Sequence, residues 1–518
     1  MSAPVDVLIV GAGHNGLVAA TMLARAGLRI RVLESANQVG GACRTEYPFA
    51  NAPNVGQSTG AYLLGLMPPE LMRELDVSFP LLRRDPHYFL PTTEGRYLLI
   101  GADAASSDVQ LARFFSSRDA NADRALRAEL AMLRRDIGPT WLQAPLSIEQ
   151  TAERHVRPGL RDAFVALCRG SVGDYLDRFG FESELLQSMY EVTDGFTGLC
   201  GDRNTPGGGM NFLAHNMCRL PGSDSTWMVV RGGMGTVTRV LADAARKAGA
   251  EIALDTKVAS IELGGGVVTG VSTETGGVHR AEAVMVNADP FRMVSMLGDA
   301  CPGDLAERVD RYRLPGTSIK VNLCLRDLPT FSCLPEHKGQ HRATIHLLPE
   351  HRTRATLQEA FAQCQAGRLP EHPSIEWYIH TTLDPSLQDE RGRHSAALFC
   401  QWVPYELADT SWPEEEGRFV ARLLEICDRF APGTSALVED VFTLTPPKIE
   451  EHFGITAGHI HHVDNSFGFA DRLPYRLPLA GLYACGAGCH PAGSVIGAAG
   501  HNAAIALLSD FAISSRGC

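Results

Sequence analysis

Val5-Asp-Val-Leu-Ile-Val10-Gly11-Ala-Gly13-His14-Asn15-Gly16 is the stretch that decides the fold. Its first six residues are a short, largely apolar run of the kind that makes a central parallel strand, and the glycines end it in a tight turn. A helix is predicted over 17–26, stopped by Gly27, and a second strand over 29–33 runs into Glu34, 18 residues past Gly16. Strand, glycine turn, helix, strand and acid in this order describe a dinucleotide-binding unit. Gly11 permits the turn, Gly13 lets backbone N–H groups approach a pyrophosphate, and Gly16 lets the helix pack closely, its amino end stabilising the negative charge. Glu34 is placed to accept hydrogen bonds from the adenosine ribose, and its charge repels a 2′-phosphate. His14, Asn15 and Ser35 flank these positions and belong to the same candidate site. The bland alternative is a glycine-rich turn that holds no ligand.

Beyond the acidic strand end comes a second glycine pair, Gly40-Gly41-Ala42-Cys43-Arg44. A nicotinamide site does not require it. A flavin dinucleotide, lying deeper in the protein, gains from it another close backbone approach and a guanidinium, so FAD is expected rather than NAD. Near the other end, Gly486-Ala487-Gly488-Cys489-His490 leads through Val495-Ile496-Gly497 to a helix expected to start near 495. These small residues tolerate a flat ring at van der Waals distance, and the helix dipole would stabilise a reduced flavin by ~0.3–2 kcal/mol. Ordinary small-residue helix packing is the alternative there.

Around these blocks the chain reads as α/β, α+β overall. A discontinuous Rossmann-type FAD-binding domain is expected over 1–60, 225–300 and 440–518. A substrate domain of antiparallel sheet and helices, 61–224 and 301–439, is inserted into it. The stretch 60–216 reads as mainly helical, notably over 121–136 and 181–191. A second α/β stretch carries a helix over 236–248, a strand over 251–254, a hairpin about Gly264-Gly-Gly266 and a strand over 283–287. Strand candidates at 318–325, 343–348, 375–380 and 396–403 suit an antiparallel sheet with one face on a ligand space.

The 518 residues, 45% of them hydrophobic, suffice for a large core in two domains. A formal charge of -12 with no basic run argues against a polyanion such as nucleic acid as partner. Thirteen cysteines without a C-x-x-C pair indicate neither a zinc site nor a dithiol motif, and the odd count disfavours a disulfide framework. The chain enters a strand at Val5 with no room for a leader ahead of it, so a cytoplasmic location is expected. No apolar stretch reaches the ~20 residues of a membrane-spanning helix.

The three glycine blocks, in this order and near these chain positions, resemble the phytoene-desaturase-like and amine-oxidase-like flavoproteins, nearest the branch of pyridine nucleotide-disulfide oxidoreductase domain-containing protein 2. Ser58-Thr-Gly-Ala-Tyr-Leu-Leu64, Arg84-Asp-Pro86, Gly232-Gly-Met-Gly-Thr236, Asn287-Ala-Asp-Pro290 and 453–462 agree with it as well. The resemblance covers nearly the whole chain. It implies FAD, two domains and a flavin facing a pocket under the substrate domain, with Val258 beside the adenine and Ser58 and Asn287 in the cofactor site. Members dehydrogenate carbon–carbon, carbon–nitrogen or carbon–oxygen bonds. The implied activity is hydride transfer from a C–H of a largely apolar small molecule to flavin N5. Gly264-Gly-Gly266 has no helix after it, so no second fingerprint for NAD(P)H is present, and oxygen, a quinone or another external acceptor is expected as electron acceptor. Redox-neutral polyene isomerisation and a non-catalytic flavin-bearing role are the rival readings.

Departures from the family pattern carry the weak catalytic candidates. Cys489 stands where the terminal block usually has threonine, and Ser494 and Ala499 where it has glycine and proline. Cys489 is a candidate reactive thiol or flavin attachment point and His490 a candidate proton shuttle, each against a purely structural alternative. No general base is named. His459, His461 and His462 look like a metal cluster, but no spacing completes a ligand set and no metal is expected. The stretch 62–75, apolar and broken by Pro68-Pro69, is expected in the core, with an entry tunnel or peripheral membrane contact as its functional readings.

Overall fold

The computed structural model describes residues 5–514. Val5–Val10 forms β1, and its residues separate two cores. Val7 and Ile9 pack with Leu17, Ala20 and Leu241 on one face, and Leu8 and Val10 with Val284 and Met293 on the other. Burial on both faces is what a continuous apolar strand predicts. β1 pairs in parallel with β2 (Ile30–Leu33) and β10 (Val278–Val286), and the layer continues to β7 (Glu251–Ala253) and β16 (Leu482–Ala484). The order β7-β2-β1-β10-β16 puts the topological switch at β1, where a crevice opens beyond the strands' carboxyl ends. β10 outruns the layer: its first residues pair antiparallel with β9 (Val267–Thr273), which forms the expected hairpin with β8 (Val258–Gly264).

The helix α1 (His14–Arg25) packs against the helices Gly235–Lys247 and Ala498–Ser514. The last of these approaches so closely that a Cβ on Gly500 would run into the Asn15 carbonyl. That helix begins at Ala498, so 495–497 belong to the loop before it, later than the glycine pattern suggested.

The second sheet has the order β15 (Val438–Leu444), β11 (Ser318–Leu325), β14 (His394–Gln401), β13 (Ser374–Tyr378), β12 (Thr344–Leu347), β4 (Tyr88–Pro91), β5 (Tyr97–Ile100). All neighbours are antiparallel except β12 and β4. Its two faces differ because side chains alternate. Ile319, Val321, Leu323, Ile345, Ile375 and Trp377 pack with Phe419, Leu423 and Ile426 of the helix Trp412–Phe430. Lys320, Glu376, Tyr378 and Phe399 look the other way, toward a cavity.

Two boundaries differ from the sequence reading. The stretch 60–216 is not purely helical, since β4 and β5 join the second sheet and β3 (Leu81–Leu82) pairs with β6 (Val229–Val230). These strands are too short to show alternation before tertiary pairing extends them. β15 also runs with the second sheet through residue 444, past the expected boundary at 440. The helices Ser117–Ile137 and Glu184–Tyr190 do form in the helical stretch, the latter continuing into a π-helical turn, Glu191–Phe196. Within 62–75, Leu64, Leu66, Met67, Leu71 and Leu75 are each at most 2% exposed and pack in the core, while Tyr62 and Leu63 line a cavity. Among the described residues no helix is long and apolar enough to cross a bilayer.

Two glycines in helices should respond oppositely to added side-chain atoms. Gly500→Val forces the last helix off α1 and is expected to cost ~1–3 kcal/mol or more. Gly417 lies in the helix Trp412–Phe430, and a Cβ there would meet nothing within 4 Å. Gly417→Ala should therefore stabilise by ~0.5–1 kcal/mol. Thermal and urea unfolding of the parent and the two variants checks both signs.

Candidate active site

A cavity of about 630 Å³ runs from the carboxyl ends of β1, β2 and β10 to the inner face of the second sheet. Its first end is lined by Gly11, Gly13, His14, Asn15, Glu34, Ser35, Gly40, Gly41, Ala42, Val258, Asn287, Ala487 and Val495. α1 reaches this wall with a bare amino end: Gly13 caps it without a side chain, and its first turn holds no acid. The N–H groups of that turn are left for a ligand, and the helix dipole favours an anion. Glu34 Oε2 accepts the Ala12 N–H at 2.7 Å and Oε1 the Ala36 N–H at 2.9 Å. These bonds tie the end of β2 to the glycine turn, and a carboxylate's remaining lone pairs are available to hydroxyls. The Gly40 N–H donates to the Ala12 carbonyl at 2.9 Å, docking the second glycine pair on the first.

Six residues assigned to the site from sequence do not line the cavity. Gly16 lies under the turn, where a Cβ would meet the Gly11 carbonyl and Asn287. Arg44 pairs with Glu46, donates to the His452 carbonyl and covers the Phe453 ring, so it supports Phe453, a lining residue, from behind. The Ser58 hydroxyl accepts the Met234 N–H at 3.0 Å. Gly486 backs onto the Asn287 and Ala288 carbonyls, and Ile496 is in the helical core. A Cβ on Gly497 would meet Leu71 at 2.8 Å and Val18 at 3.3 Å, so this glycine serves packing and not a ring face. Of the terminal block, Ala487, Ser494 and Val495 form the wall.

The far end holds groups that sequence reasoning did not select. Lys320 Nζ donates to the Ser58 and Gly60 carbonyls and sits 4.5 Å from the Tyr62 ring centroid; burial pushes its ammonium well below the usual lysine range. Glu376 leaves Oε1 buried without a partner, and burial pushes its carboxyl from 4.5 up to about 8. Burial likewise raises Asp194 to about 7, although Asn216 Nδ2 donates to it at 3.2 Å. Asp194 and its neighbour Thr193 reach the cavity from the π-helical turn, a distortion that often marks functional sites. Arg84, Tyr62, Tyr88, Tyr378, Trp227 and Phe399 complete the compartment. A signal was present: Lys320 and Glu376 are charges inside strands buried at every position.

Comparison with known proteins places this architecture. The family model for flavin-containing amine oxidoreductases matches residues 16–300. The chain belongs to that family. It is 32% identical to mouse pyridine nucleotide-disulfide oxidoreductase domain-containing protein 2, over 98% of this chain and 94% of the relative. It is 25% identical to hydroxyneurosporene desaturase of Cereibacter sphaeroides, over 98% and 99%. An oxidoreductase from Methanosarcina mazei shares the fold, with a TM-score of 0.62 and 16% identity over 97% of this chain and all of that one. The resemblance drawn from the glycine blocks therefore holds, and this flavoprotein is an FAD-dependent oxidoreductase. Its first compartment fits that cofactor on its own terms. His14 Nε2, Asn15 Oδ1 and His462 Nδ1 stand on this cavity buried and without protein partners, as polar atoms do when a ligand supplies the missing bonds. Gly41, at φ +57°, leaves the space beside it open to within 3.9 Å of the Gly13 Cα.

The weak catalytic candidates fall outside the cavity. Cys489 is fully buried, its thiol pushed up to about 12 by burial, and it packs in the core behind β10. His490 is 3% exposed and lies edge-on to Phe469, 5.2 Å between ring centroids. Neither lines the cavity, which removes the reactive thiol and the proton shuttle. The three clustered histidines diverge: His459 bonds Asp464 at 3.1 Å, His461 donates to the Thr197 carbonyl at 2.8 Å, and His462 faces the cofactor compartment.

Gly13→Val, made in an Asn287→Ala background to remove the collision with Asn287 Nδ2 at 2.9 Å, should yield colourless protein where Asn287→Ala alone stays yellow, with the thermal midpoint of Asn287→Ala stripped of its FAD. Stoichiometric FAD in the double variant would place the phosphates elsewhere. Glu376 gives a pH test. Its folded pKa is raised, so its contribution to stability is full below pH 4.5 and is lost as pH rises toward about 8. The thermal midpoint of Glu376→Gln relative to the parent should therefore climb between those pH values. A constant difference would show that the carboxyl is not held protonated.

Proposed function

We propose that this flavoprotein is a dehydrogenase, desaturase or oxidase acting on a C–H of a largely apolar small molecule and passing its electrons to oxygen, a quinone or another external acceptor. The observation that carries this reading is the continuity of the cavity: one space joins the glycine turns to a compartment walled by Leu63, Tyr88, Trp227, Tyr378, Phe399 and Ile460. Bound FAD supplies a hydride acceptor at N5. The apolar walls exclude water and orient an apolar body. Lys320, anchored by two carbonyls, and Glu376, with a free oxygen, hold the proton-exchanging atoms of the compartment. The desaturase relative, which by its name desaturates hydroxyneurosporene, supports an apolar substrate for this chain as well.

The hairpin at Gly265 and Gly266, which turns with φ of +63° and +81° directly into β9 and offers no helix end to a second dinucleotide, supports the reading of an external acceptor. Anaerobic stopped-flow mixing tests it. NADH and NADPH are expected to reduce the flavin slowly or not at all, while the true substrate bleaches it and oxygen or a quinone restores the colour. Fast, saturable reduction by either nucleotide would identify a reductase instead.

A further inference from the structure

We propose that the substrate of this oxidoreductase carries a carboxylate, and that Arg84 receives it at the far end of the cavity. This rests on the oxidoreductase reading above and adds the polar group that the apolar walls do not explain. Arg84 is 3% exposed and lines the cavity. Its guanidinium is fixed by neutral acceptors: Nε donates to the Trp227 carbonyl at 2.8 Å, and Nη1 to Thr344 Oγ1 at 2.6 Å and to the His87 carbonyl at 3.3 Å. Among the described residues no carboxylate lies within ion-pair distance of it, and Nη2 has no acceptor. A buried, permanent cation without a counter-ion is costly, and the planar guanidinium fork matches a carboxylate better than any other common group.

The surroundings keep that charge uncompensated. Asp194 and Glu376 share the compartment, but neither forms an ion pair with Arg84, and burial raises their carboxyls to about 7 and about 8, so at pH 7 Glu376 largely keeps its proton and Asp194 keeps it about half the time. Burial holds the Lys320 ammonium well below its usual range, and His346 and His380 at about 3. The Tyr62, Tyr88 and Tyr378 hydroxyls are pushed up and remain neutral donors. Arg84 is the permanent positive charge of this compartment, held by neutral acceptors and without an ion-pair partner among the described residues. An anionic head suits it, whereas an ammonium head would meet a like charge.

The test titrates purified, FAD-loaded protein at pH 7 with benzoate and octanoate, and in parallel with benzylamine and octylamine, reading flavin absorbance and calorimetric heat. The carboxylates should perturb the flavin saturably and bind about tenfold or more tighter than the matching amines. Arg84→Met should weaken carboxylate binding about 10- to 100-fold at unchanged flavin content, with Arg84→Lys between the two. Should Arg84→Met fail to fold, the ranking of anion over cation in the parent protein still decides. Tighter binding of the amines, no saturable carboxylate binding, or a folded Arg84→Met with parental benzoate affinity overturns the assignment while leaving the flavin reading intact. Purified protein without FAD overturns the flavin reading itself.

Discussion

The side chain of Asn287 sits where Cβ atoms on Gly13 and Gly16 would have to go. Its Nδ2 donates to the Gly11 carbonyl at 3.2 Å, and a Cβ on Gly13 or Gly16 would approach it to 2.9 or 3.0 Å, while Gly11 turns the chain at φ +98°. Asn287 follows β10 directly, and its backbone N–H donates to the Val10 carbonyl at 2.8 Å. One side chain thus locks the ends of β1 and β10 to the start of α1. The glycine spacing answers to this crossing as much as to any phosphate: Gly16, which touches no part of the cavity, is required by the protein alone. The bare helix end and the open wall at Gly13 and Gly41 are what the crossing leaves over for a ligand.

This double duty explains why the first compartment is legible in the sequence. Turn, helix and acid occupy 30 consecutive residues from Val5 to Glu34, and local rules govern each of them. The hairpin at 264–266 and the strands β11, β12, β13 and β14 of the second sheet are legible for the same reason. Glycines farther along the chain are not, because a small residue answers equally to a ring, a helix or a backbone. Gly497 and Gly486 face Leu71 and the Ala288 carbonyl, and nothing in their neighbours' identity distinguishes those partners from a flavin. β4 and β5 escape a local reading because Tyr88–Pro91 and Tyr97–Ile100 become strands only by pairing with each other and with β12, a partner some 250 residues away in sequence.

The second compartment is illegible for a different reason. Its ionisable groups come from the loop at Arg84, the turn at Asp194 and the separate strands carrying Lys320 and Glu376, so no spacing relates them. Arg84-Asp-Pro86 stands out in the sequence only as part of a family likeness, without a role. Strand periodicity nevertheless holds the clue. In β11 and β13 the residues flanking Lys320 and Glu376 belong to the apolar core under the helix Trp412–Phe430, and alternation sends the charges to the opposite face. A sheet face built to meet another apolar layer does not tolerate a lysine and a glutamate.

The cost of these buried groups explains the division of the molecule. The first sheet is clad by helices on both faces and carries only the crevice at its switch point. The second sheet is clad by a helix on one face; on the other, Leu90, Leu98 and Ile100 pack on the helical core, and the middle strands face a cavity where desolvation shifts the titratable groups toward their neutral forms: Lys320 and the histidines downward, Glu376 and Asp194 upward. Neutralisation makes such a wall tolerable in a low-dielectric space, because a neutral acid or amine loses far less on leaving water than an ion does. A guanidinium has no such escape within the accessible pH range. Among the charged side chains of that wall, Arg84 alone must keep its charge, and the three neutral acceptors that fix its orientation supply dipoles but no counter-charge. The structure thus concentrates its remaining electrostatic demand at one point, on the side of the cavity away from the glycine turns, where a substrate and not the cofactor must satisfy it.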